Sequence, residues 1–363
     1  MRQPPGKGKG GRPKPPGRGA ISNPTGRYEP RRVVFLPEQE ADPAETDSPP
    51  RLATTVTPET VRSVITRNDS PDVPFDTSIN PYRGCEHGCI YCFARPTHAY
   101  LGLSPGLDFE SRLFSKPDAA ERLAEELSRP GYRCEAIALG ANTDPYQPIE
   151  RELRITRGIL EVLAAHHHPL SIVTKSHLVL RDLDLLRPMA AKRLASVFFS
   201  VTTLENELAR RMEPRAPAPA RRLEAIRALS AAGVPTGVLA SPMVPGLNDD
   251  ELESILEAAA AAGALSAGYI LLRLPGEVAT LFSEWLDAHY PLRKSHILSL
   301  IRQTRGGKLY DPRFGERMRG EGPYADLLAR RFALAVKRLG LSRRPELDVS
   351  QFRVTAGTQL KLF

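Results

Sequence analysis

The chain has 363 residues, 41% of them hydrophobic and 25% charged. That supports one large globular domain, or one domain with appendages, and excludes a wholly disordered chain. No run approaches the ~18 apolar residues of a membrane helix, and the first residues lack the apolar stretch and cleavage site of a secretory signal.

The net charge of +8 is unevenly spread. Residues 1–35 hold nine Lys/Arg against one acid, and residues 301–345 hold twelve against four. The last 18 residues balance, so the middle of the chain is acidic. Two basic ends suit a phosphate backbone; they also suit a solvated tail and a solvated helix face.

Residues 1–50 are rich in Pro and Gly and end in a short acidic run. They lack apolar periodicity, so they are expected to be a disordered tail, basic and then acidic. Residues 51–76 read as a lead-in. From residue 77 short apolar runs alternate with amphipathic stretches. The runs lie at 135–140, 170–174, 196–202, 234–240 and 268–274, with a further strand just before Cys85. Helical patterns fall at 117–129, 150–166, 178–190, 215–232, 249–263 and 277–289. Asn248 is placed to cap the fifth of these, with Glu251 in capping-box position. This alternation implies a parallel α/β sheet of about six βα units over 77–290, an open or incomplete barrel or a doubly wound sheet. Either way the reactive face lies at the carboxyl ends of the strands. Residues 291–363 read as a separate basic extension with one helix near 323–339.

The chemistry concentrates in Asn80-Pro-Tyr-Arg-Gly-Cys-Glu-His-Gly-Cys-Ile-Tyr-Cys-Phe-Ala-Arg. Cys85, Cys89 and Cys92 are three of only four cysteines. Clustered thiols in an unsecreted chain suggest metal rather than a disulfide, and hence a reducing cytoplasm. Thiolates favour iron–sulfur clusters or zinc. Three of them can hold three corners of a cubane and leave its fourth iron open. The spacing also admits a structural zinc site with His87 or His98 as fourth ligand. Cys134 stands 42 residues beyond Cys92, at the entry to an apolar strand, and reads as a structural thiol.

The loop Cys-x3-Cys-x-Tyr91-Cys resembles that of radical S-adenosylmethionine (SAM) enzymes. NPYRGCEHGCIYCFARPTH and TDPYQPIE resemble, more narrowly, the spore-photolyase-like branch, whose bacterial members are often labelled DNA-repair photolyases. The resemblance spans roughly residues 60–300. It implies a partial (β/α)6 barrel and a [4Fe-4S] cluster on Cys85, Cys89 and Cys92. SAM would chelate the open iron, and one electron from an external flavodoxin- or ferredoxin-like donor would release a 5′-deoxyadenosyl radical for hydrogen abstraction. It implies cofactor contacts at Asn142 and Thr143 after the second strand, at Lys175 after the third, and at Ser200 and Thr202 on the fourth. Tyr91 would pack by the adenine. Tyr146, in the Pro145–Pro148 loop, is a candidate on the substrate side, although loop packing explains it as well. The branch returns a hydrogen atom from a cysteine just after the second strand. Here that stretch reads Gly140-Ala141-Asn142-Thr143. The radical machinery is therefore expected, and photoproduct repair is not.

Three further features carry weaker expectations. His166, His167 and His168 precede Pro169 at a helix end, where imidazoles meet the helix dipole more readily than a metal. Arg305, Lys308, Arg313, Arg317 and Arg319 interleave with Tyr310 and Phe314 as a DNA or RNA strand would require, or as a solvated loop allows. Gln359, Leu360, Leu362 and Phe363 resemble the short peptide that docks on the bacterial DNA sliding clamp. Two rival classes follow: a zinc-stabilised nucleic-acid-binding protein, and a clamp-associated adaptor with a merely structural cluster.

Overall fold

The computed structural model describes residues 17–28, 52–343 and 345–354. The sliding-clamp peptide at 359–363 lies outside the described residues.

Six strands form the frame: β1 Thr77–Ile79, β2 Ile137–Leu139, β3 Leu170–Thr174, β4 Ala195–Ser200, β5 Thr236–Met243 and β6 Ser266–Leu271. Each pairs in parallel with its predecessor, beginning with Thr77 opposite Ile137 and Ile137 opposite Leu170. The series continues with Leu170 opposite Ala195, Val197 opposite Thr236 and Gly237 opposite Ser266. The edge strand Ile65–Arg67 adds to β1 antiparallel. Strand order never reverses along the sheet, so every crossover is free to turn the same way. The result is the expected partial (β/α)6 barrel, with all carboxyl strand ends at one mouth. In β4, Ala195-Ser-Val-Phe-Phe-Ser is almost continuously buried, as a strand covered on both faces must be.

The covering helices are α1 Ala119–Leu127, α2 Ile155–Ala165, α3 Leu183–Ala191, α4 Pro219–Ala231, α5 Leu252–Ala261 and α6 Val278–His289. The helix expected over 150–166 is broken. Glu150–Leu153 forms one turn, and Arg154 at φ +52° separates it from α2. The cause is Glu150, which points inward to accept from the Thr156 backbone N–H at 3.1 Å and to pair with Arg181 at 2.7 Å.

The capping box expected before α5 is not made. The Asn248 side chain accepts from Val244 N–H at 2.6 Å and donates to Thr202 O at 2.6 Å and Pro242 O at 3.0 Å. It ties the ends of β4 and β5 together. Glu251 accepts from Thr203 and from Leu204 N–H.

The C-terminal extension is not separate. Helices α7 Lys294–Gln303 and α8 Pro323–Leu339 follow α6. Arg331 of α8 pairs with Glu253 of α5 at 2.5 Å, and Ser342 bridges to Ser266 of β6. The lead-in supplies Thr55–Pro58, which pairs with Arg112–Ser115 in a small second sheet. Within the tail expected to be disordered, residues 17–28 are placed against the barrel, with Arg18 and Ala20 buried. Among the described residues no helix is long and apolar enough to cross a membrane.

Candidate metal and cofactor site

The cysteine loop leaves β1 at the mouth. Its turns are closed by its own backbone: Gly88 N–H donates to Cys85 O at 3.3 Å and Cys92 N–H to Cys89 O at 3.2 Å. Cys85 N–H donates to Phe109 O at 3.0 Å and Ile90 N–H to Met212 O at 3.0 Å, fixing the loop to its surroundings. Gly88 has φ +66°, and a Cβ there would stand 2.7 Å from Glu110 Oε2. Only glycine fits that turn.

Cys85 and Cys89 are each 8% exposed, and Cys92 is half-buried. Burial pushes the Cys85 thiol well up, with Asp144 and Cys89 adding to it. Burial likewise pushes Cys89 up to about 12, against the pull of Lys175. Such thiols ionise when a metal takes the proton's place, so the donor set fits a metal-bearing loop.

A single zinc would need four donors within about 4 Å of one another. Among the described residues no three His, Cys, Asp or Glu are gathered that way. Thiolates on separate irons of a cluster do not need to be. Each histidine proposed as a fourth zinc ligand has one ring nitrogen engaged. His87 Nδ1 stands 3.4 Å from Asp144, and His98 Nε2 stands 2.9 Å from Arg112 O.

Beside Cys89 lies a buried ionic cluster that the sequence did not disclose. Glu213 accepts from the Tyr91 hydroxyl, from Thr202 Oγ1 at 2.7 Å and from Arg222 Nη2. Lys175 Nζ is 4.0 Å from Glu213 Oε1 and 5.9 Å from the Tyr91 ring centre. Arg222 also donates to Ser200 O at 3.0 Å and Pro217 O at 2.9 Å. Burial alone would raise the Glu213 carboxyl, but Arg222 and Lys175 outweigh it and hold it near about 2. A trace of this was present in the sequence. Arg222 shares the helical spacing of Ala225, Ile226 and Leu229, so it lies on the buried face of α4.

The expected cofactor residues therefore divide. Tyr91 and Lys175 meet beside Cys89, while Ser200 is buried at the end of β4, where its backbone carbonyl accepts from Arg222. Thr202 has no exposure, and its hydroxyl is held among Glu213, Tyr91 and Ser241 O. Thr143 is buried and donates to Tyr82 O at 3.1 Å, while Asn142 is exposed. Both backbone N–H groups donate to Asn80 Oδ1. Their neighbour Asp144 is the hub of that strand end. It accepts from Thr174 Oγ1 at 2.7 Å and Lys175 N–H at 2.8 Å, and it faces His87. Burial would raise its carboxyl; those partners hold it near about 2.

Tyr146 has no exposure and donates to Asp182 Oδ2 at 3.1 Å. It is a buried ring packed in the barrel core. Cys134 precedes β2, at the end remote from the mouth. Burial, then Glu135, pushes its thiol up to about 11. His166 and His168 are buried with Tyr132 and Phe352, and His168 Nε2 meets Tyr132 Oη at 2.8 Å. That is an aromatic nest.

The basic loop is largely neutralised from within. Arg305 is buried and donates to Leu272 O at 2.8 Å and Glu316 O at 2.7 Å. Arg313 pairs with Asp311 at 2.5 Å, and Arg317 pairs with Asp72. Only Lys308 and Arg319 of the five are exposed and without an acidic partner among the described residues.

Comparison with known proteins agrees with this geometry. The radical SAM superfamily pattern matches residues 79–259. An uncharacterized protein of Mycobacterium tuberculosis is 41% identical over 249 residues, 68% of this chain and 72% of the relative. An uncharacterized protein of Methanocaldococcus jannaschii is 30% identical over 173 residues, 48% of this chain and 62% of the relative. Among solved structures, spore photoproduct lyase complexed with dinucleoside spore photoproduct superposes with a TM-score of 0.57 at 16% identity. The match covers 78% of this chain and 79% of that one. A variant of the same lyase with bound AdoMet gives 0.52 at 16% identity over the same shares. The structures speak for the fold; the superfamily match and the mycobacterial relative reach further, and on them this chain belongs to the radical SAM superfamily.

Proposed function

We propose that the protein reductively cleaves S-adenosylmethionine at a [4Fe-4S] cluster held by Cys85, Cys89 and Cys92. The observation that carries this is the placement of Lys175, from the end of β3, over the ring of Tyr91 and beside Cys89. When bound, the cluster and SAM together supply the 5′-deoxyadenosyl radical; the chain's residues bind, orient and exclude water.

In this reading the Lys175 ammonium would hold the methionine carboxylate, and the Ser200 hydroxyl would serve the ribose. The ring of Tyr91 lines the adenine side, its hydroxyl anchored on Glu213. Glu213 and Arg222 fix these groups from beneath. The electron comes from an external one-electron donor protein. The absence of cysteine from Gly140–Thr143 argues against photoproduct repair. The substrate is left open. The internal pairing of Arg305, Arg313 and Arg317 removes most of the support for a nucleic acid bound on that loop.

The test is anaerobic reconstitution with iron and sulfide, then dithionite and SAM, with 5′-deoxyadenosine as readout. The full chain is expected to turn brown and release it, and Cys89→Ala to do neither. A fully loaded sample that forms none would overturn the proposal.

A further inference from the structure

We infer that the buried carboxylate of Glu110 positions the cysteine loop, and that the N-terminal segment Gly17–Tyr28 is the half of that device which closes it. The inference rests on the proposed role of the loop, but its geometry is independent of any bound group.

Glu110 has no exposed surface, so no water solvates its charge and protein donors must do so. Three are supplied from two directions. Gly19 N–H donates to Oε2 at 2.8 Å and Ala20 N–H to Oε1 at 2.8 Å. From the other side Arg95 Nη2 donates to Oε1 at 2.5 Å. The same Arg95 reaches the cysteine loop: Nε donates to Cys89 O at 2.9 Å and Nη2 to Gly88 O at 3.2 Å. Glu110 is thus the joint between the N-terminal segment and the carbonyls that set the Gly88–Cys89 turn.

The fit of the segment is close. A Cβ on Gly19 would stand 1.7 Å from Gly88 O, so no other residue can lie against the loop there. Arg18, itself buried, donates to Glu110 O at 2.5 Å, Leu52 O at 2.6 Å and Thr54 Oγ1 at 3.0 Å. Thr54 passes the tie on to Glu86 at 2.7 Å, the residue after Cys85. Ala20 joins the apolar group that contains Cys89, Ile90 and Tyr91.

Beyond the loop the segment is fastened at each step. Asn23 and Asp108 exchange hydrogen bonds of 3.1 and 3.0 Å, and Ser104 Oγ donates to Pro24 O at 2.5 Å. Arg27 pairs with Glu277 at 2.7 Å and Tyr28 stacks on Tyr100. Ser22 donates to Glu284 of α6 at 2.5 Å. The segment therefore straps the cysteine loop to the last helix of the barrel. Lifting it strips two donors from a buried carboxylate and frees the backbone on which Cys85 and Cys89 ride.

The test reads thiols before any metal is added. In metal-free full-length protein, alkylation of Cys85 and Cys89 by iodoacetamide is followed by mass spectrometry, with Cys134 as internal reference. Gly19→Val and Glu110→Gln are expected to speed the two loop thiols about tenfold or more, as local opening does, and to leave Cys134 unchanged. Where Gly19→Val speeds Cys134 equally, the barrel itself has loosened, and a chain lacking residues 1–20 takes the same test. After reconstitution the variants are expected to hold less iron per chain and to bleach faster in air. Loop-thiol rates within about twofold of wild type in these variants would overturn the inference. A wild-type chain that never takes iron would instead overturn the proposed function and leave the thiol result standing.

Discussion

Glu213 is buried, and its carboxyl is held below the usual range only while its partners stay. Burial disfavours the carboxylate; Arg222, Lys175 and the hydroxyls of Tyr91 and Thr202 reverse the balance. Removing one member of a buried pair leaves the other uncompensated, which typically costs about 3–5 kcal/mol. Glu213→Gln is therefore expected to destabilise the fold by about 3 kcal/mol in urea unfolding. A change below about 0.5 kcal/mol would mean that the ionic cluster is only nominal. Lys175→Met tests a different link. Its ammonium faces the mouth, with only 16% of the side chain exposed and Glu213 at 4.0 Å. The variant is expected to keep its iron and to bind SAM about tenfold or more weakly, the loss of one charge-assisted contact. Equal SAM affinity by calorimetry would move the carboxylate site elsewhere.

At the scale of elements, the strands were legible and the ties between them were not. Runs such as Leu170–Thr174 are short and mostly apolar, and the alternation with helices fixes their parallel order. The Cys85–Cys92 loop was legible because its meaning lies in local spacing. Asn248 was misread because its identity and place suit a cap, while its bonds run to Thr202, Pro242 and Val244. Glu110, Arg95 and Glu213 resemble surface charges in one dimension; only the partners that the fold brings to them make them buried. The Gly17–Tyr28 strap escaped because its partners, Glu110, Asp108, Glu277 and Glu284, lie about 80 to 260 residues away, and two of its contacts are backbone N–H groups that composition cannot show. Asn248→Ala is expected to lose about 3 kcal/mol, since the Val244 N–H and two carbonyls are left without partners. An unchanged denaturation midpoint would show that water replaces the side chain. His168 gives a pH counterpart. Burial, with His166 adding, lowers its imidazole from 6.5 to about 4. Below pH 6.5 the unfolded chain takes a proton that the folded chain refuses until about pH 4. Stability thus falls as pH drops through that window, by about 1.4 kcal/mol per unit. His168→Phe, which fills the nest with Tyr132 and Phe352 but does not titrate, is expected to lose that slope. Unfolding curves at pH 7 and 4.5 compare the two, and equal slopes would place the titration elsewhere.

For the whole molecule, the charge asymmetry finds an internal explanation. The acidic middle and the basic C-terminal third meet face to face. Arg317 pairs with Asp72, Arg331 with Glu253 and Arg338 with Glu257. Arg305 is spent on backbone carbonyls at the end of β6. Charge that read as a lure for phosphate thus docks the C-terminal extension on the barrel. The exposed pair Arg338–Glu257 is individually weak, about 0–1 kcal/mol, but all three pairs remove cations from any external partner. The consequence is measurable. Each phosphate neutralised adds about 0.9 to the slope of log affinity against log salt. With only Lys308 and Arg319 of residues 305–319 still exposed and unpaired, Lys308→Ala with Arg319→Ala is expected to lower that slope by no more than about 1.8. Fluorescence anisotropy with a short DNA duplex at several salt concentrations measures it. Arg313→Ala and Arg317→Ala are expected to leave the slope alone and to lower stability instead, because their guanidinium groups hold Asp311 and Asp72 rather than phosphate. A slope that falls with each of these four would return the loop to nucleic acid and make the internal pairs a resting arrangement that DNA displaces.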